Sequence, residues 1–205
     1  MKNILFIESG QSGYGGSFQS LYTTINRLNV KKYHFIVIFF NPTIFYDKLV
    51  QIGIERYYIN DVIFSGKQNW KKYILGKLNG GFLKMLPLFS VWIDFLIHIK
   101  TIYKLLLIAR KRKIDIIHLN NQLVLNFVGL FVAKYLNVPC VAHLRTFNSY
   151  GLNQYKVAYS KKINIHYIAV SEKIKRHWIE RGLDSDMIEV LHNVFQSNHD
   201  SKSED

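Results

Sequence analysis

"NILFIESGQSGYGGSFQSLYTTINRL", residues 3–28, sets an apolar run, a glycine-rich turn and an amphipathic segment end to end. The run from Asn3 to Glu8 is apolar on consecutive positions, the pattern of a strand covered on both faces. Phe18, Leu21, Ile25 and Leu28 recur at spacings of three and four, which predicts one buried face of a helix. Strand, glycine loop and helix together open a βαβ unit, and the rest of the chain repeats the theme.

Strands are predicted at 3–8, 34–40, 54–59, 114–119, 138–143, 165–170 and 188–191, with helices near 16–29, 45–52, 87–112, 122–136 and 171–181. Such alternation predicts an α/β fold: a single Rossmann-like, doubly wound, mainly parallel sheet with helices on both faces. The domain spans residues 1–195, and 196–205 read as a polar, disordered tail. Ser171 is placed to cap a helix that ends at Gly182 in the left-handed conformation. Pro139 stands where a strand starts and its missing N–H is tolerated.

A chain of 205 residues with 49% hydrophobic and 15% aromatic residues has material for one sizeable core. The single cysteine, Cys140, excludes an internal disulfide and suits a reducing cytosol. No signal peptide is visible, since the first apolar run is short and meets a glycine turn. The net charge of +13 calls for an anionic partner. "RKRK" at Arg110–Lys113 and the pair Lys161 and Lys162 concentrate it, yet no zinc-finger, basic-zipper or aromatic RNA-binding pattern accompanies them, so nucleic acid is not expected.

The stretch "LPLFSVWIDFLIHIKTIYKLLLIARKRK", Leu86 to Lys113, carries Ser90, Asp94, His98 and Thr101 as a narrow polar stripe on an otherwise apolar helix. Asp94, Lys100 and Lys104 argue against a membrane span, because a central charge costs about 2.5–3.5 kcal/mol. Two readings stay open: a core helix whose polar stripe is a thin solvent edge, or an interfacial helix on anionic lipid anchored by "RKRK".

In open α/β sheets ligands bind beyond the carboxyl ends of the strands. The glycine loop follows the first strand, with Gly13, Gly15, Gly16 and Ser17, and "NPT" at Asn41–Thr43 follows the second. His118, Asn120 and Asn121 end the fourth, His143 and Arg145 the fifth. Ser171 and Glu172 follow the sixth, and His192 and Asn193 the seventh. Apolar strands that all end in hydrogen-bonding side chains on one edge outline a site. His34, His166, His177 and His199 lack ligand spacing, and no metal site, serine triad or carboxylate pair is expected.

The loop fits neither common nucleotide pattern. Gly16 stands where a P-loop needs lysine. The third glycine of a dinucleotide fingerprint falls on Phe18, and Asn41 and Pro42 stand where an acidic residue would bind ribose. What remains is a backbone able to approach a ligand closely at a helix start that favours an anion, or a turn that only packs helix on strand.

In this order the segments resemble the N-terminal, acceptor-side domain of a family-4 glycosyltransferase of GT-B fold, over roughly residues 2–195. "NILFIESGQSGYGGSFQSLYTTINRL" is similar to the family's first strand, double-glycine loop and helix. "KIDIIHLNN" is similar to its "pDvvH" strand and "VPCVAHLRT" to its "vP.v...H" strand. "YIAVSEKIKRHWIERGLDSDMIEVLHNV" is similar to the stretch before the interdomain linker. The resemblance implies retaining transfer from a nucleotide-sugar, a donor substrate rather than a bound cofactor, to a glycan or lipid-linked acceptor, with no metal.

It further implies that Gly15 and Gly16 lie near the donor phosphate and the acceptor, and that His143 touches the donor sugar as the catalytic histidine. Asn120, Asn121 and Arg145 would border the acceptor pocket, with His118, Ser171 and Glu172 added from their strand ends. The sequence departs from the family after "LHNVF", where Val194 replaces a glycine and no second Rossmann pattern follows. The expectation is a chain that transfers no sugar at a useful rate without a donor domain on another chain. Its place would be the cytoplasm, peripheral on the inner face of the membrane. The alternative is a non-catalytic module of the same fold that binds membrane or a protein partner.

Overall fold

The computed structural model describes residues 1–8, 16–28, 32–41, 43, 45–59, 87–121, 123, 126–147 and 154–192. Gly13, Gly15, Pro42, Asn193, His199 and the tail 196–205 lie outside them. The elements run β1 (Lys2–Glu8), α1 (Gly16–Arg27), β2 (Tyr33–Phe39), α2 (Phe45–Gln51), β3 (Glu55–Tyr58), α3 (Pro87–Ile97), α4 (Ile99–Lys111) and β4 (Ile116–Leu119). There follow α5 (Val128–Leu136), β5 (Cys140–Leu144), α6 (Gln154–Ser160), β6 (Ile165–Ala169), α7 (Glu172–Ile179), a 3-10 turn (Ser185–Met187) and β7 (Ile188–Val190).

All seven strands pair in parallel in the order β3-β2-β1-β4-β5-β6-β7. Successive residues of the central strands alternate between two cores, as a period of two requires. Ile4, Phe6, Phe35, Val37 and Phe39 join Phe18, Leu21 and Ile25 of α1 and Phe45 and Leu49 of α2. Leu5, Ile7, Ile36 and Ile38 face the other way, into a core shared with α3 to α7. Both faces are therefore covered, which accounts for the unbroken apolar runs in the sequence.

The order reverses at β1, whose two neighbours are β2 and β4. That reversal opens a crevice at the carboxyl edge between β1 and β4, where such sheets bind ligands. α5 sits tightly beneath it. A Cβ built on Gly129 would lie 2.6 Å from Leu119 Cδ2 and 2.7 Å from Ile7 Cδ1, so only glycine lets this helix lie so close.

Local chemistry sets the boundaries as expected. Ser171 Oγ accepts from Ile174 N at 3.3 Å and caps α7, and Gly182 follows with φ 94°. Asn137, left-handed at φ 54°, closes α5. Helix α6 is an addition the sequence pattern does not predict.

The Leu86–Lys113 stretch corrects one expectation. It is two helices, broken at His98, and the Asp94, His98 and Thr101 part of its polar stripe points inward. Asp94, His98 and Thr101 are buried, with Asp94 only 1% exposed. Asp94 Oδ2 accepts from Lys156 Nζ at 3.3 Å and from the Tyr155 hydroxyl at 2.5 Å, both on α6. A solvent edge is ruled out for these groups, because a paired buried charge holds α3 to α6.

Candidate functional site

Asn120, the residue after β4, organises the crevice. Its main-chain N–H donates to Ile7 O at 3.0 Å, prolonging the β1–β4 ladder by one rung. Its side-chain amide donates to Glu8 Oε2 at 2.6 Å and to Ser17 O at 3.1 Å. Arg145 donates from Nε to Asn120 O at 2.7 Å and from Nη2 to Asn120 Oδ1 at 3.1 Å. Every polar group of this one buried residue thus has a partner, and it joins the ends of β1, β4 and β5 to the start of α1. Asn121 adds a bond from Nδ2 to Glu8 Oε1 at 3.2 Å.

Glu8 is the residue the sequence reading overlooks. It is 3% exposed, and as the last residue of β1 it looks like the polar end of a strand turning into solvent. The signal available was an acidic group ending the strand beside the switch point. Its carboxylate supports Arg145, raising the guanidinium's pKa while burial lowers it to about 10, so Arg145 stays charged at neutral pH.

Arg145 also lies 3.2 Å from His143 Nδ1 through Nη2, and His118 Nε2 lies 3.1 Å from the same atom. A guanidinium can only donate, so His143 Nδ1 is an acceptor and the proton of this imidazole sits on Nε2. His118 must then donate from its own Nε2. The two rings are stacked with centroids 5.1 Å apart, and Phe6 packs on His118 at 4.7 Å. Burial first, then the charge of Arg145, depress His143 to about pKa 2 and His118 to about 3. His143 is 7% exposed and is held neutral, with Nε2–H as a fixed donor.

The structure therefore brings His118, Asn120, Asn121, His143, Arg145 and Ser17 into one neighbourhood. Gly16 is the first residue of α1, and among the described residues a Cβ built there meets no heavy atom within 4 Å beyond its chain neighbours and its own helix backbone. Ser171 and Glu172 do not join this network among the described residues: Ser171 is taken up by capping α7, and Glu172 is exposed in its first turn. Next to them an open cavity of about 290 Å³ is lined by Phe147, Lys173, Arg176, His177 and Glu180. Its walls mix Phe147 with two cations, Lys173 and Arg176, an imidazole and the carboxylate of Glu180, and Lys173 Nζ lies 5.5 Å from the Phe147 centroid.

Among solved structures the chain is similar to HepE of Anabaena in complex with UDP, at 19% identity and a TM-score of 0.64 over 95% of this chain and 44% of that one. A glycosyltransferase from Rickettsia africae ESF-5 is similar at 16% identity and a TM-score of 0.64, over 93% and 42%. MurG of Acinetobacter baumannii is similar at 12% identity and a TM-score of 0.60, over 98% and 48%. The chain spans less than half the length of each, and the likeness is one of fold: a Rossmann-like half of a GT-B glycosyltransferase. No curated protein sequence matches it. Residues 80–196 match the model of Glycosyltransferase Family 4. That stretch is more than half of the chain and contains His118, Asn120, His143 and Arg145, and the chain belongs to this family.

Proposed function

We propose that this crevice is the acceptor-side wall of a retaining sugar-transfer site, with a nucleotide-sugar as donor and a glycan or lipid-linked glycan as acceptor. The observation that carries the reading is the neutral, pre-oriented imidazole of His143 at the carboxyl edge of a family-4 fold. Transfer breaks the bond from the sugar's C1 to the diphosphate oxygen, which leaves with the electron pair and gives the ring positive character; the acceptor oxygen then bonds to C1 and its proton passes to the departing diphosphate. An imidazolium beside that ring would repel it; a neutral Nε2–H donor can hold a sugar hydroxyl without that penalty.

Around it, Asn120, Asn121, His118 and Arg145 border the acceptor; the Nε and Nη2 of Arg145 are taken up by Asn120 and His143, so what it offers a phosphate is its positive charge. The Gly13, Gly15, Gly16 and Ser17 segment is the near side of the donor phosphates, where main-chain N–H groups at a helix start favour an anion. Ser171 and Glu172, outside the Asn120 network, would border the acceptor pocket only from its rim, as the residues that follow β6. The cations that neutralise the leaving diphosphate are assigned to a further domain, on a longer form of this protein or on a separate chain. HepE, solved with UDP, supports a nucleotide donor for this fold.

Labelled nucleotide-sugars incubated with the protein, the further domain that supplies those cations, and membranes from its host test the reading. Label should pass to a glycan or glycolipid, and His143→Ala should slow transfer on the order of a hundredfold. Label that stays on the nucleotide when the native protein and that further domain are both present, or that moves equally fast with the variant, overturns it.

A further inference from the structure

Turning the polar stripe of α3 inward leaves an apolar stripe facing out. Trp92 is 60% exposed and Tyr103 is 60% exposed, with Leu96, Ile99 and Leu107 between and beyond them also exposed. Their spacings of four, three, four and four keep them along one side of α3 and α4. Lys100, Lys104 and Lys111, all exposed, run beside this line at the same helical spacing. Arg110 lies at its far end, donating to the hydroxyl of the exposed Tyr135 on α5 at 3.0 Å. Between Pro87 and Lys113 the single acidic residue is Asp94, which is buried against Lys156. The face is thus apolar, aromatic at both ends, and bordered by cations with no exposed anion of its own.

We infer that this face is a bilayer-contacting surface that lies along an anionic lipid leaflet. The chemistry selects among occupants. A second copy of the chain would set lysine row against lysine row, whereas phosphate headgroups match it, and exposed Trp and Tyr favour the zone between headgroups and acyl chains. None of the described helices is long and apolar enough to cross a membrane, so the contact is lateral. α4 leads into the start of β4, so Trp92, at the opposite end of the stripe, lies toward the carboxyl edge that carries His143. The inference needs only the exposed face and holds whether or not the crevice transfers sugar.

Flotation of the full chain with vesicles of phosphatidylcholine alone, or mixed with phosphatidylglycerol, tests it. Anionic lipid should raise binding on the order of a hundredfold at low salt, about what three surface lysines supply. Lys100→Glu/Lys104→Glu/Lys111→Glu should abolish that difference, and Tyr103→Ser/Leu107→Ser should weaken binding to both vesicles by about tenfold. Thermal melting of each variant verifies that it is folded. Trp92 emission should shift to the blue on binding and be lost in Trp92→Phe. Failure of the native chain to float with anionic vesicles overturns the inference, as does unchanged binding by folded variants. A lipid-free dimer that Tyr103→Ser/Leu107→Ser dissociates also overturns it and assigns the face to a second copy.

Discussion

Arg145 Nη2 approaches His143 Nδ1 to 3.2 Å, and because guanidinium has no lone pair to offer, the arginine dictates where the histidine's proton resides. Side-chain ¹⁵N spectra should show His143 as the neutral Nε2–H tautomer across the neutral range. Arg145→Met should release it to a mixture of tautomers, while Arg145→Lys should restore part of the bias. A native His143 protonated on Nδ1 would contradict the assigned network.

Neutral buried histidines make stability depend on pH in a definite sense. The folded pKa of His143 lies near 2, far below the ordinary value of about 6.5, so between those values the unfolded chain binds the extra proton. Stability is therefore full above about pH 7 and falls as pH drops through 6.5. From pH 7.5 to 5 the loss from His143 comes to about 2 kcal/mol, and His118, held near 3, adds a loss of similar size. Denaturant titrations at a series of pH values should follow this slope, and His143→Asn should flatten it.

The buried pair Asp94–Lys156 should be costly to break and cheap to replace whole. Asp94→Asn or Lys156→Met leaves one charge buried without its counterion and should cost about 3–5 kcal/mol. The double replacement Asp94→Leu/Lys156→Met should regain most of that. Chemical denaturation of the three variants measures the coupling; additive losses would show that the two side chains act independently.

Gly129→Ala is expected to destabilise by about 1–3 kcal/mol, since the new methyl meets Leu119 and Ile7 below 3 Å. Both neighbours are side-chain ends, so Leu119→Ala in the same chain should recover part of the loss. Lack of recovery would place the strain in the backbone instead.

Asn120→Ala removes three side-chain hydrogen bonds and leaves the Glu8 carboxylate and Arg145 Nη2 short of bonds they make now. A loss of about 3 kcal/mol is expected, from two or three buried groups left incompletely satisfied. Asn120→Asp should be worse, as it sets a second anion against Glu8. Thermal melts of both variants give the order directly.

The sheet was readable from the sequence because strands covered on both faces must be apolar at every position, in short runs punctuated by turns. Each predicted strand lies within two residues of an observed one. The direction of the polar stripe on α3 was not readable. Periodicity locates a stripe but does not say which side faces water, and here the answer depends on Lys156, 62 residues downstream of Asp94. Glu8 was hidden for a similar reason: what makes it part of the crevice is its partner Asn120, 112 residues later in the chain.

That last separation has a kinetic side. β1 lies in the middle of the sheet, yet half of its pairing, Ile4 with Ile116 through Ile7 with Leu119, awaits residues made more than a hundred positions later. Closing so long a loop must precede the contacts that reward it, so the chain should fold slowly for its size. While a ribosome is still extending it, β1 holds one flank open, an unpaired apolar edge that chaperones or neighbouring nascent chains can reach first.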